Sequence, residues 1–137
     1  GSEMCIRDSI LSPDPLSKFR ISNGLFWQVL RRLLAESPRL LVLGGGGDHP
    51  IALARCWTGV WAILSGRTLD ENLPESGRAL LEGVEWDLDD EDAPDYSRQF
   101  QYLDDLPLPG PLRSEVTDRL EYLFHHHPLF ANRRNAA

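Results

Sequence analysis

Asp48 and His49 lie between four consecutive glycines, residues 44–47, and Pro50, a placement in which side-chain type could decide chemistry. An ionised carboxylate accepts hydrogen bonds and donates none, whereas an imidazole, neutral or protonated, has an N–H to give. The glycines ahead of them carry no Cβ, so the backbone there can turn sharply and come close to a ligand. Two phosphate-binding patterns are excluded. The dinucleotide fingerprint needs a third glycine where this chain has His49 or Pro50, and the phosphate loop needs a Gly-Lys-Ser/Thr ending that the run lacks. Asp48 and His49 also suit a plainer task, since either could cap a helix opening at Pro50.

The flanking residues suggest how this turn is held. Residues 40–43 are four apolar residues bounded by the glycines and read as a fully buried strand. Pro50 fits a first helical turn. Ile51, Leu53, Ala54, Cys56, Trp57, Val60, Trp61 and Leu64 spread over a wide arc, predicting a well-buried helix that Gly66 terminates. Strand, glycine turn and helix make half of an α/β unit, in which ligands bind beyond the carboxyl end of the strand. Upstream, Pro13 and Pro15 predict a loop. Ser22 or Asn23 caps a second amphipathic helix bearing Leu25, Phe26, Val29, Leu30, Leu33 and Leu34, which Pro38 stops; Trp27, Arg31 and Arg32 fall on its other face.

These motifs resemble the zinc-dependent histone deacetylase family. The resemblance rests on the four glycines followed by Ala54-Arg55-Cys56-Trp57, and residues 58–62 (Thr-Gly-Val-Trp-Ala) are similar to bacterial members such as the acetoin-utilisation deacetylases. Residues 14–22 resemble the segment that the family places shortly after its second zinc-binding aspartate. The likeness is good from Ser12 to Gly66 and looser beyond. It implies the C-terminal portion of a three-layer α/β domain of the arginase/deacetylase type with a parallel sheet.

It also implies removal of acetyl groups from acyl-lysine or related acetylated amines, with zinc polarising the carbonyl and activating water. Gly45, Gly46 and Gly47 would wall the acyl-lysine channel and Leu16 would line its rim, although a leucine packed under a loop fits Leu16 equally. Asp48 occupies the position of the family tyrosine that donates to the developing oxyanion. His49 stands one residue later than the histidine that replaces this tyrosine in some members. The zinc-ligand aspartate corresponds by count to Ser9; Asp8, one residue away, is the nearest metal-ligand candidate. The remaining ligands and the histidine pair would lie upstream, so this chain by itself is expected to bind no zinc and to be inactive. The alternative is a non-catalytic relative that binds acylated ligands or a protein partner.

Residues 4–8 (Met-Cys-Ile-Arg-Asp) resemble the translated end of a sequencing adaptor. Residues 1–9 are therefore read as non-native and residues 10–137 as part of the domain. The 137 residues are one domain's worth of chain, and 42% hydrophobic composition with four tryptophans predicts a folded protein. A net charge of −7 argues against nucleic acid and acidic membranes as partners. Two cysteines, Cys5 and Cys56, form no disulfide framework and suit a reducing compartment, so a cytoplasmic location is expected.

The other groups with chemical potential read more plainly. Residues 85–95 hold seven carboxylates without the spacing of a calcium loop, and predict a solvated loop. Residues 68–83 predict a polar connection with one short helix near 78–82. Leu112, Val116, Leu120, Leu123 and Phe124 predict a last amphipathic helix, and His125–His127 suit the negative end of its dipole better than a metal.

Overall fold

The computed structural model describes residues 9–17, 19–37, 39–85, 96–107 and 109–128; Cys5, Asp8, Pro38 and most of the acidic run lie outside them. The elements are α1 (Asn23–Glu36), α2 (Pro50–Leu64), α3 (Glu75–Glu82), a 3₁₀ turn (Tyr96–Phe100) and α4 (Ser114–His126). Helix α1 starts where its sequence predicts, with the Ser22 side chain accepting from the Leu25 N–H. Helix α2 has Pro50 in its first turn and ends at Ser65. The Gly66 N–H bonds the Ile63 carbonyl at 3.2 Å and the Arg67 N–H bonds the Ala62 carbonyl at 2.8 Å, the paired closing bonds of a Schellman end.

Residues 40–43 form no strand. Among the described residues there are only two isolated bridges, Leu11 with Ile21 and Asn72 with Tyr102. The residue types favour a strand, but a ladder needs a neighbouring backbone, and none lies beside this segment among the described residues. Its side chains still alternate: Val42 packs on the core while Leu41 and Leu43 are 81% and 76% exposed.

The core forms where α1 crosses α2. Trp27, Leu30, Val60 and Leu103 make the larger cluster, with Leu11, Ala52 and Cys56 beside it. The periodicity misplaced two faces. Trp27 is buried and donates its indole N–H to the Cys56 carbonyl at 2.9 Å, whereas Leu25, Val29 and Leu33 are exposed. On α2 Ile51, Ala52, Arg55, Cys56, Gly59, Val60 and Ala62 go inward, and Trp61 and Leu64 face out. Close approach explains this: a Cβ on Gly59 would fall on the indole ring of Trp27. Gly59→Ala should therefore lower stability by about 1–3 kcal/mol through overpacking, despite alanine's better helix propensity; urea unfolding would measure it.

A polar hub ties the segment after the 3₁₀ turn to both helices. Arg55, 1% exposed, donates from Nε to the Tyr102 carbonyl and from Nη2 to the Asp104 carbonyl. Its Nη1 lies 2.7 Å from Asp105 Oδ1 as an ion pair, at an angle poor for a hydrogen bond. Asn23 completes the hub, donating from Nδ2 to the Leu103 carbonyl and accepting from the Asp105 N–H. Helix α4 is exposed along its length, with His126 Nδ1 2.9 Å from the Tyr122 carbonyl oxygen and its ring stacked on Tyr122. No helix among the described residues is long and apolar enough to cross a membrane.

Candidate functional site

Only the end of the glycine run is sterically bound to be glycine. Gly46 and Gly47 take φ values of 74° and 115°, a region that side chains rarely enter, and a Cβ on Gly47 would stand 2.5 Å from Leu53 Cδ2. A Cβ on Gly44 would make ordinary contact with Trp57 at 3.7 Å. Gly45 and Gly46 line a cavity of about 190 Å³ together with Ser9, Leu11, Phe26, Cys56 and Trp57.

The turn ends in a division of labour between Asp48 and His49. His49 is the helix cap: its Nδ1 accepts from the Ala52 N–H at 3.2 Å, and the residue is 2% exposed. Accepting at Nδ1 puts the proton of a neutral ring on Nε2. Asp48 does not cap. Its backbone N–H donates to Asp14 Oδ2 at 3.0 Å, and its own Oδ2 is buried with no hydrogen-bond partner among the described residues.

Asp14 organises this region. Its carboxylate, in a residue 3% exposed, receives three backbone N–H groups, two from its own loop and one from the glycine turn. Oδ2 accepts from Ser9 and Asp48, and Oδ1 accepts from Leu16, each at 3.0 Å. Leu16, the rim candidate, is at the surface, 45% exposed. The structure thus joins the Ser9, Leu16 and Asp48 positions through one side chain, a role that no motif announces. The available signal was an aspartate between two prolines, a composition suited to side-chain-to-backbone turns.

Burial pushes the Asp14 carboxyl up, but the bonds from Asp48, Ser9 and Leu16 outweigh it and hold the group below its ordinary value. A carboxyl depressed by folding stabilises the protein above its unfolded value of about 4 and loses that contribution as pH falls through the folded value. Unfolding curves taken from pH 6 down to pH 2 should show this acid-side loss, and Asp14→Asn should remove that part of the dependence.

Cys56 is buried, and desolvation together with the Asp105 charge raises its thiol to about 12, against smaller opposing effects of Arg55 and the Trp27 bond. It is a packing residue rather than a thiolate nucleophile. Among the described residues no three His, Cys, Asp or Glu side chains are placed to hold a metal ion. Asp8 lies outside the described residues, and both Asp14 oxygens are taken by backbone N–H groups.

No family model matches the chain. Among curated proteins it is 35% identical over 65 residues to histone deacetylase 8 of Xenopus laevis, a match covering 47% of this chain and 20% of that protein. It is 37% identical over 70 residues to histone deacetylase 7 of Arabidopsis thaliana, covering 51% of this chain and 17% of the relative. Among solved structures it superposes on an HDAC homologue from Aquifex aeolicus with a TM-score of 0.72 at 38% identity, over 82% of this chain and 30% of that one. An HDAC homologue complexed with SAHA gives a TM-score of 0.73 at the same identity and coverage. Sequence and fold both relate the chain to the histone deacetylases, and it spans less than a third of the length of each of these relatives.

Proposed function

We propose that this chain is the C-terminal part of a zinc-dependent deacetylase of the histone deacetylase type, related to the bacterial acetoin-utilisation enzymes and acting on acetyl-lysine or a small acetylated amine in the cytoplasm. The observation that carries the reading is the glycine turn. An extended apolar segment runs into two glycines with positive φ, and Asp48 follows them, held by a carboxylate from the loop that bears the rim candidate Leu16. The kinship to an HDAC homologue solved with SAHA supports an acylated ligand.

In this reading residues 40–43 are one strand of a parallel sheet whose other strands belong to the remainder of the domain, which would cover Leu41 and Leu43. Gly45–Gly47 wall the acyl channel. Zinc is held by residues outside this chain, so the chain alone binds none and turns over no substrate. Recovering the full-length gene tests the proposal: an upstream histidine pair and an Asp/His ligand motif are expected, and their absence would overturn it.

Asp48 favours a second reading. At the position of an oxyanion donor it presents a group with no proton to give, and loss of one such donor typically costs ~10²–10³ in rate. His49 one residue later is enclosed, with Nδ1 committed to the helix cap. A relative that binds acylated ligands or a protein partner without hydrolysing them would carry such a substitution.

A further inference from the structure

We propose that Asp14 is a positioning residue that sets the place of Asp48 and of the rim residue Leu16 with a single carboxylate. The inference rests on the deacetylase reading for what those two positions do, and on geometry alone for how they are held.

Three observations support it. The N–H of Asp48 is not part of the hydrogen bonding of α2, because the helix cap is His49 and its first bonds come from Ala52 and Leu53. The Asp48 N–H is held instead by its 3.0 Å bond to Asp14 Oδ2. One carboxylate oxygen holds Asp48 and the other holds Leu16, so neither of these positions can move without disturbing the other. Asp14 is itself fixed in the loop, since its N–H donates to the Leu11 carbonyl and its carbonyl accepts from Ser17. Leu11 in turn packs against Ala52 and Cys56 of α2, which anchors the loop on the helix that follows Asp48. Charged acceptors make the strong hydrogen bonds of this kind, and placement of reacting groups to a fraction of an ångström governs rate.

The two carboxylate oxygens do different jobs, which makes substitutions informative. Asn at position 14 keeps one acceptor oxygen. With its oxygen toward Asp48 it would keep that bond and turn its amide toward the Leu16 N–H, releasing Leu16 only. Ala releases all three.

The test is amide hydrogen exchange with residue resolution in the full-length protein, together with deacetylation of an acetyl-lysine reporter. Asp14→Ala should speed exchange at Asp48 and Leu16 by about tenfold or more while amides in the middle of α2 keep their protection. Asp14→Asn should speed Leu16 alone. In an Asp48→Tyr background, where position 48 carries an oxyanion donor, Ala at position 14 should lower kcat about tenfold or more with a smaller change in KM, and Asn should raise KM with kcat largely kept. Unchanged exchange at Asp48 and Leu16 in Asp14→Ala would overturn the proposal, as would loss of protection spread evenly through α1 and α2. The exchange result stands without turnover, so a wild-type protein inactive on the reporter would refute the deacetylase reading and leave the positioning result to be judged separately.

Discussion

Asp48→Tyr in the full-length protein is expected to raise deacetylation of an acetyl-lysine reporter by about 10²-fold or more, because it restores one oxyanion donor and removes a negative charge beside the developing one. The geometry favours the gain. The Asp48 N–H is held by Asp14 and does not depend on which side chain stands at position 48. Asp48→Asn separates the two effects: it removes the charge and supplies a weaker donor, so an intermediate gain is expected. No gain in either variant, with zinc bound, would favour the non-catalytic relative.

The second large effect is structural. Arg55→Met leaves Asp105 buried beside the core without its cation, and breaking such a pair from one side typically costs ~3–5 kcal/mol. Because Arg55 also holds the Tyr102 and Asp104 carbonyls, residues 102–105 should lose their anchor on α2. Chemical denaturation of the full-length protein checks the size of the loss. Combining Arg55→Met with Asp105→Leu should cost clearly less than the sum of the two, since no charge is then stranded.

The sequence made α1, α2 and α4 legible because caps, prolines and helical spacing are local signals. It also located Pro50 in the first turn and the end of α2 at Gly66. It misread which faces are buried. Trp27 and Gly59 meet through a contact between two helices, and nothing in either helix alone announces that the larger ring goes inward against a glycine. The strand at 40–43 was legible as a composition and not as a structure, because pairing belongs to two segments at once. The Arg55–Asp105 hub went unread for the same reason, with partners about fifty residues apart.

At the site, the need for glycine was visible as a run, but only the backbone angles show that it falls on Gly46 and Gly47. The choice between Asp48 and His49 as the cap could not be made from sequence, where aspartate is the better cap by type. The structure assigns it to His49, whose Nδ1 takes the Ala52 N–H, while the Asp48 N–H goes to Asp14.

The most direct measurement of the central proposal is zinc content and turnover of an acetyl-lysine reporter, made side by side on this 137-residue chain and on the full-length gene product. The account predicts zinc and metal-dependent deacetylation in the longer protein and neither in the shorter. Zinc and turnover in the 137-residue chain itself, or a full-length product that binds no zinc, would contradict it.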